Sequence, residues 1–360
     1  MKLPRLLLLL SVGATLLPAA PLRVGVAGLT HTHVHWLLGR ADRGDIEIVG
    51  IAESNRDLAQ RYLQQHRLPE PLLYSTLDDM LARARPDAVT AFGSTFEHLA
   101  VVETCAPKGI HVMVEKPLAV SAEHARQMAA LARRHGIHLL TNYETTWYST
   151  NHRAADLLRE GQLGELRKVV VHDGHSGPRE IGVNEEFLAW LTDPVQNGGG
   201  ALTDFGCYGA NLLTWLTAGQ RPVAVTAVLR QFKPDVYPKV DDDATILVDY
   251  ATAQGVIQAS WNWPFNRKDM EVYGATGSVI SVDRSILRTR LKDDAAERVE
   301  TLPERAAPHD DPFAYLAAVA QKRVAPAPFD LSSLENNLLV VEILDAARES
   351  ARTGRRITLP

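Results

Sequence analysis

Short apolar segments alternate with amphipathic helical segments along the first part of the chain. Apolar runs of strand length occur at Leu22–Ala27, Ile46–Ala52, Ala88–Phe92, His111–Val114 and Ile137–Leu140. Segments with apolar residues at helical spacing lie between them, at His33–Arg40, Arg56–Gln65, Leu77–Arg85, Glu97–Lys108 and Ala122–His135. Apolar strands interleaved with helices are typical of a parallel sheet covered on both faces. The pattern predicts a doubly wound α/β domain of the dinucleotide-binding type over residues 21–143.

The pattern changes after residue 143, where strand-like segments follow one another at short spacing. They lie at Leu166–His172, Val223–Gln231, Thr245–Tyr250, Val256–Trp263 and Met270–Tyr273. Helices are predicted at Thr150–Arg159, Asp204–Leu216 and Ser333–Thr353. Sequential strands joined by turns indicate a mostly antiparallel sheet. We therefore predict a second, α+β domain over residues 144–360 with a large open sheet, and a ligand cleft between the two domains.

Composition indicates a globular protein and bears on whether it binds nucleic acid. A chain of 360 residues with 46% hydrophobic and 22% charged residues is typical of a two-domain globular protein. Its net charge of -5 and the lack of a dense Lys/Arg run argue against a nucleic-acid partner.

The N-terminus has the pattern of a secretory signal. A basic start is followed by an apolar run over Leu6–Leu17 and by small residues up to Ala20. Such a segment is too short to span a membrane stably. Residues 1–20 therefore predict a signal peptide and a periplasmic or secreted protein. A cytoplasmic location follows if the segment is not a functional signal.

A candidate phosphate-binding turn lies between the first predicted strand and the first helix. Of the three glycines in the dinucleotide fingerprint only Gly28 is present, because Thr30 and His33 take the other two positions. Backbone amides at a helix start still bind phosphate. We predict that Gly28, Thr30, His31 and His33 contact the cofactor.

Further cofactor contacts are predicted at the ends of neighbouring strands. Glu53 lies about 25 residues after Gly28, where a carboxylate binds ribose hydroxyls and repels a 2′-phosphate. This predicts NAD, with NADP left open because Arg56 is close. Ser94 and His98 lie near a glycine where a cofactor could approach the backbone, although Ser94 also fits an ordinary helix cap.

Three alternating histidines, His31, His33 and His35, raise the question of a metal. Alternate residues at the start of a helix are expected to diverge around its axis. No clear set of further ligands follows downstream. The sequence therefore predicts no metal site, and favours contact with phosphate or nicotinamide, or polarity at a helix start.

The triplet Glu115-Lys116-Pro117 ends the apolar strand that begins at His111. A lysine is costly to keep at the end of a buried strand. The carboxyl ends of parallel strands are also where open α/β folds bind their ligands. We predict a chemical role for Lys116.

A second polar cluster follows a run of glycines. Asp204, Tyr208 and Asn211 have i, i+4 and i+7 spacing in one predicted helix, so they are expected to share a face. They form either a polar stripe held by neighbouring hydrogen bonds or a face for proton transfer and hydroxyl binding opposite Lys116.

Together these residues resemble the Gfo/Idh/MocA family of oxidoreductases over essentially the whole chain from Leu22 onward. Tyr208 and Asn211 replace the histidine and aspartate of many members, which resembles the glucose–fructose oxidoreductase branch. The resemblance implies an NAD(P)-dependent enzyme that acts on a sugar or cyclic polyol. It also implies a homo-oligomer, a dimer or tetramer, formed through the open face of the second sheet.

The resemblance further implies that Lys116 and Tyr208 are the catalytic pair and that Asp204 helps to hold substrate hydroxyls. A nearby ammonium would lower the pKa of the phenol and let it act as a base. Other predicted contacts are Glu115 and Asn142 on the nicotinamide side, and Tyr143, His175, Asn211, Trp263 and Arg267 for the substrate.

Two other functions remain open. One is a glycoside hydrolase that uses tightly bound NAD without net redox change, which would suit an exported protein. The other is a non-catalytic sensor of sugar or nucleotide, against which the intact set of Lys116, Asp204 and Tyr208 argues.

Overall fold

A computed structural model of the protein describes residues 20–359. The predicted signal peptide, apart from Ala20, lies outside this range. Within it, none of the helices combines the length and hydrophobicity needed to cross a bilayer.

The first sheet has six parallel strands. These are β1 (Leu22–Ala27), β2 (Ile46–Ala52), β3 (Leu73–Tyr74), β4 (Ala88–Ala91), β5 (His111–Glu115) and β6 (Leu139–Asn142). Their order across the sheet is β3-β2-β1-β4-β5-β6, so the chain winds outward twice from β1. The predicted doubly wound class is confirmed. In such a sheet ligands bind at the carboxyl ends of the strands, near β1 and β4 where the order reverses.

Five helices cover both faces of this sheet. They are α1 (Val34–Leu38), α2 (Arg56–His66), α3 (Leu77–Ala84), α4 (His98–Cys105) and α5 (Ala122–His135). Side chains of Asn55, Thr76 and Ser121 cap α2, α3 and α5 by accepting a backbone N–H of the first turn. Helices α1 and α2 enclose one apolar core, and α3, α4 and α5 enclose another.

The second sheet has nine strands and is mostly antiparallel, as predicted. They are β7 (Leu166–Gly174), β8 (Ala224–Arg230), β9 (Asp243–Asp249), β10 (Gln254–Ser260), β11 (Arg267–Gly274), β12 (Gly277–Ser281), β13 (Ile286–Leu291), β14 (Arg298–Thr301) and β15 (Ile357–Thr358). Their order is β14-β13-β12-β11-β7-β10-β9-β8-β15, with β7 and β10 parallel. On β7, Val169 and Val171 point into the core, whereas Val170 lies on the open face.

Helices pack on one face of this sheet and connect it to the first. They are α6 (Ser149–Arg159), α7 (Glu185–Leu191), α8 (Ala201–Asp204), α9 (Gly206–Leu216) and α11 (Leu334–Thr353). Helix α10 (Pro312–Ala320) instead packs on the first sheet, in an apolar cluster with Val24 and Met113. Helix α11 contacts β8 and α9 of the second domain and also α5 of the first. The helix predicted over Asp204–Leu216 is confirmed from Gly206 to Leu216, and a turn at Phe205 separates it from α8.

Candidate active site

A cleft of about 480 Å³ lies at the carboxyl ends of β1, β2 and β4. It is lined by Gly28, Thr30, Glu53 and His98, four of the residues predicted to bind the cofactor. Gly28 has φ +77, and a Cβ there would lie 2.8 Å from the nitrogen of Gly93. Glycine is therefore required at this turn, and the backbone at the cleft floor stays open to a ligand.

Glu53 is fixed in place at the edge of this cleft. Its two carboxylate oxygens accept the backbone N–H groups of Leu29 at 2.9 Å and of Asn55 at 2.8 Å. Burial raises the pKa of the carboxyl group, while these two hydrogen bonds favour its charged form.

His98 and Ser94 differ in how they relate to the cleft. His98 is buried, burial lowers its pKa to about 4, and its Nε2 has no hydrogen-bond partner among residues 20–359. Ser94 does not line the cleft, because its hydroxyl contacts Glu97 at 3.0 Å and Gln196 at 2.9 Å in a capping box. The capping interpretation of Ser94 accounts for its contacts.

His31 and His33 lie side by side, so the expectation that they diverge is wrong. They belong to a turn that precedes α1, and their ring centroids are 4.4 Å apart. The backbone N–H of His33 donates to Nδ1 of His31 at 3.1 Å, and Nδ1 of His33 lies 2.9 Å from Glu115. His35 points elsewhere, toward His66.

His31, His33 and Glu115 form a group whose potential ligand atoms lie within 4.8 Å of one another. A second such group, His172, Asp269 and Glu271, spans β7 and β11. The sequence raised His31 and His33 as possible ligands but not Glu115, which is 82 positions from His33, and it did not indicate the second group. In the first group, Nδ1 of His31 and Nδ1 of His33 are already used in hydrogen bonds. The absence of a resident metal stays a prediction.

Burial lowers the pKa of both His31 and His33, and the charge of Lys116 lowers both further. Two neutral imidazoles therefore face the start of α1. Nε2 of His31 is buried without a partner among residues 20–359. Because Nδ1 of His31 accepts a hydrogen bond, Nε2 carries the proton in the neutral ring and is a donor.

Lys116 and Asp204 join the two domains at the centre of the site. The ammonium group donates to the Asp204 carboxylate and, at 3.2 Å, to its backbone carbonyl. The other carboxylate oxygen accepts from the indole of Trp261 at 3.0 Å. Burial opposes both charges, but the partner's charge outweighs it, so the pKa of Lys116 is raised and that of Asp204 is lowered.

Tyr208 lies beside this pair, with Lys116 Nζ 5.4 Å from the centroid of its ring. Burial raises the pKa of its phenol well above 10.0, and the charge of Glu144 raises it further. The sequence predicted the opposite direction. The prediction considered the charge of Lys116 and left out burial, which is the largest influence on this pKa.

Two predicted substrate residues do not reach the cleft. The side-chain amide of Asn211 donates to the carbonyl of Leu331 at 2.8 Å, where α9 packs against the segment before α11. Tyr143 is fully buried, with its ring edge against Tyr208 at 5.3 Å between centroids. Asn211 shares α9 with Tyr208, but its side chain is used in packing against the segment before α11. Tyr143 directly follows β6 and packs in the core of the second domain.

A buried polar chain links β5 to the segment after β6. The amide of Asn142 donates to Glu115 at 2.8 Å, and its oxygen accepts from the indole of Trp147 at 3.0 Å. Glu115 in turn contacts His33. Glu115 and Asn142 are therefore adjacent, as expected if both contact the nicotinamide side. The contact with Glu115 fixes the orientation of His33.

Glu144 and Lys268 complete the site, and the sequence analysis missed both. They form an ion pair, and Lys268 Nζ lies 4.9 Å from the ring centroid of Tyr208. Burial opposes the charge of Glu144, but Lys268 and the hydroxyl of Tyr148 hold its pKa at about 2. One signal was available: Lys268 shares the inward face of β11 with Met270, a position where charge is rare.

The remaining substrate candidates lie at the ends of β7 and β11. His175 and Arg267 line a cavity of about 690 Å³ together with Lys268 and Glu144. Burial lowers the pKa of His175 to about 4. Trp263 does not line this cavity and packs under the guanidinium of Arg267, 5.6 Å from the ring centroid.

Two protein-family models match the two domains of the chain. Residues 22–143 match the family described as an oxidoreductase family with an NAD-binding Rossmann fold. Residues 151–280 match the Gfo/Idh/MocA C-terminal domain. The chain belongs to the Gfo/Idh/MocA family. The resemblance read from the Glu-Lys-Pro triplet and the Asp204 cluster is thereby confirmed.

Individual members of the Gfo/Idh/MocA family align with part of the chain. The trans-1,2-dihydrobenzene-1,2-diol dehydrogenase of Bos taurus is 29% identical over 233 residues, 64% of this chain and 64% of that protein. The enzyme of the same name from Homo sapiens is 28% identical over 232 residues, 64% and 65% of the two chains. The aligned part thus spans about 64% of the length of these relatives.

Solved structures share the whole fold. The aldose-aldose oxidoreductase of Caulobacter crescentus, complexed with glycerol, has a TM-score of 0.78 at 24% identity and covers 94% of this chain and 100% of its own. An inositol dehydrogenase homolog from Azotobacter vinelandii, complexed with NAD+, has a TM-score of 0.80 at 19% identity, with 95% and 98% covered. These likenesses show the fold.

The residues of this Gfo/Idh/MocA member fit an NAD cofactor. Gly28 lines the cleft without a side chain, so its backbone is open to a phosphate group. Glu53 presents a fixed carboxylate at the edge of the same cleft. His98, whose Nε2 has no hydrogen-bond partner among residues 20–359, also lines this cleft.

Proposed function

We propose that the protein is an NAD-dependent oxidoreductase that transfers hydride between nicotinamide and a hydroxyl-bearing carbon of a sugar or cyclic polyol. One observation carries this proposal: Lys116 of the first domain is bonded to Asp204 of the second, beside Tyr208. The dihydrodiol dehydrogenase relatives support the reaction class, since their names describe oxidation of a cyclic diol.

Each residue of the site has a role in this reaction. Glu53 binds the ribose hydroxyls, and the backbone at Gly28 receives the pyrophosphate. When bound, NAD supplies the hydride acceptor. Lys116 and Asp204 orient the reacting hydroxyl, and Tyr208 exchanges its proton, as phenolate in oxidation and as phenol in reduction.

The test starts from the purified full chain. Denaturation followed by mass spectrometry asks whether NAD or NADP is released. The absorbance of NADH at saturating NAD then reports turnover against a panel of aldoses, cyclitols and diols. We expect reduction of NAD by at least one polyol and its loss in Lys116→Met. Absence of turnover with every substrate in both directions would overturn the proposal.

A second function is favoured by the N-terminal sequence. The apolar segment ending near Ala20 supports export to the periplasm or outside the cell, where no free nicotinamide pool exists. The enzyme would then keep NAD bound and hydrolyse a glycoside without net redox change, through transient oxidation of the substrate, elimination of the glycosidic bond, addition of water and return of the hydride. Release of p-nitrophenol from aryl glycosides without a change in NADH absorbance would favour this function over dehydrogenation.

We also propose a homo-oligomer, a dimer or tetramer, formed through the open face of the second sheet. The support is an apolar surface on β8, β9 and β11, where Val228 is 52% exposed and Leu247 and Tyr273 are 37% exposed. Buried in an interface, such residues would stabilise association. Light scattering with Leu247→Lys should show a shift toward monomer.

A further inference from the structure

Two cavities share Glu144, Tyr148 and Asp283 in their walls. The inner cavity, of about 690 Å³, reaches His175 and Lys268. The outer cavity, also about 690 Å³, reaches Trp36 and Phe313. Together they form one groove that leads from Lys268, 4.9 Å from the ring centroid of Tyr208, toward Trp36 of α1.

The size of this groove exceeds what one sugar ring requires. Ligand sites of roughly 300–1,000 Å³ enclose most of a drug-sized molecule. The inner cavity alone lies in that range and already contacts Lys268, the neighbour of Tyr208. The outer cavity therefore offers space for a part of the ligand that does not react.

Trp36 gives the outer cavity a flat apolar wall. One face of its indole stacks on His33, with centroids 3.7 Å apart and planes inclined by 17°. The side chain nevertheless remains 39% exposed and lines the outer cavity. His33 is itself held by Glu115, so the indole is presented in a fixed orientation at little entropic cost. A sugar or aryl ring packs favourably on such a surface.

The rim of the outer cavity offers a polar group to the same ligand. One oxygen of Asp310 pairs with Arg43 at 3.0 Å. The other oxygen is buried and has no hydrogen-bond partner among the described residues. An unsatisfied acceptor beside an exposed aromatic ring suits a ligand with hydroxyl groups and an apolar face. The neighbouring Asp311 is already used, by Arg40 and by the cap of α10.

From this geometry we infer that the substrate is a glycoside rather than a free monosaccharide. Its reacting ring occupies the inner cavity, and its second ring or aryl aglycone stacks on Trp36 and donates a hydroxyl hydrogen bond to Asp310 where it has one. The inference rests on the proposed oxidoreductase function and specifies the substrate class of the same site.

The test compares matched ligands on the holoenzyme. Glucose is compared with cellobiose, maltose and phenyl β-glucoside, and galactose is compared with lactose. We expect kcat/KM for a glycoside to exceed that of its monosaccharide by tenfold or more. Trp36→Ala should lower that ratio by at least tenfold, and Trp36→Phe should keep most of it. Phe232→Ala, which removes an aromatic ring 63% exposed and outside the groove, should leave the ratio unchanged.

A binding measurement separates this inference from the proposed function. Calorimetry measures the Kd of the same ligands for wild type and Trp36→Ala. If monosaccharides and glycosides turn over equally and Trp36→Ala leaves the ratio unchanged, the groove assignment is overturned and the oxidoreductase stands. If none turns over but a glycoside binds in a Trp36-dependent manner, the groove stands and the reaction does not. Neither turnover nor binding by any of these ligands would overturn both.

Discussion

The ammonium group of Lys116 lies against the carboxylate of Asp204, and these residues come from different domains. Both side chains are only 6% exposed, so each charge depends on the other rather than on water. The pair therefore does two things at once. It places a cation beside Tyr208, and it makes assembly of the site depend on how the two domains pack.

Replacing Lys116 by methionine should harm both stability and turnover. The change leaves the Asp204 carboxylate buried and unpaired, which costs about 3–5 kcal/mol of unfolding free energy. Loss of the oriented cation should lower kcat by roughly 10²-fold or more. Urea unfolding measures the first effect, and NADH absorbance measures the second.

The double variant Lys116→Met/Asp204→Asn separates the two effects. The asparagine removes the unpaired charge and still offers an oxygen to Trp261. We expect most of the lost stability to return while turnover stays low. Recovery of turnover together with stability would mean that Lys116 acts only as a structural partner.

Tyr208 should give the reaction a pH dependence of defined sign. Burial raises the pKa of its phenol, so the protonated form predominates at neutral pH. Oxidation of an alcohol uses the phenolate, and kcat should rise by up to about tenfold per pH unit between pH 7 and 10. Carbonyl reduction uses the phenol and should not show this rise. A flat oxidation profile, or Tyr208→Phe with near-normal kcat, would contradict this role.

Much of the fold was accessible from sequence because its signals are local. Apolar runs and capping residues gave β1 and α5 with the bounds that the structure has. Strands β12 to β14 were missed, since exposed charged residues such as Arg288 and Arg298 interrupt their apolar pattern. Helix α10 was missed because it is apolar all round and lacks an amphipathic period.

The site was only partly accessible because its key pairs are distant in sequence. Lys268 and Glu144 are 124 positions apart, and nothing local to either residue indicates the other. The pairing of His31 with His33 required knowing that the segment is a turn rather than a helix. The pKa of Tyr208 is set mainly by burial of the phenol, which depends on tertiary packing.

Glu53 should determine the choice between NAD and NADP. Its carboxylate lines the cleft and is fixed by two backbone N–H groups, so a 2′-phosphate would meet an unmoving negative charge. Glu53→Gln removes the charge but keeps the shape. We expect the ratio of Kd for NADP to Kd for NAD to fall by about tenfold, equivalent to about 1.4 kcal/mol. Isothermal titration calorimetry with NADP and with NAD measures both constants.

Asp57→Asn is the matched control for Glu53. This exposed carboxylate lies in the first turn of α2, next to the same cleft, and does not line it. It should leave the NADP to NAD ratio within about twofold of wild type, since exposed charges are screened. Equal shifts in both variants would mean that general charge, not the fixed carboxylate, sets the preference.

Asp173 should make the protein less stable as pH rises. The residue is fully buried on β7, neither carboxylate oxygen has a hydrogen-bond partner among residues 20–359, and burial raises its pKa well above 3.8. The unfolded chain ionises near pH 3.9, so the folded state holds the extra proton above that pH. The stability linked to this group is present below pH 4 and declines by up to about 1.4 kcal/mol per unit until the folded group ionises.

Asp173→Asn removes this titration while keeping the size of the side chain. Calorimetry should therefore show that the difference in Tm between Asp173→Asn and wild type grows in favour of the variant as the pH rises above 4, until the folded carboxyl group ionises. Asp156→Asn, in which the lost carboxylate is half exposed and pairs with Arg159 on the same helix, should follow wild type across that range. Parallel curves for Asp173→Asn and wild type would mean that the folded protein already holds this carboxylate charged, with a partner such as Lys268 supplying the compensation.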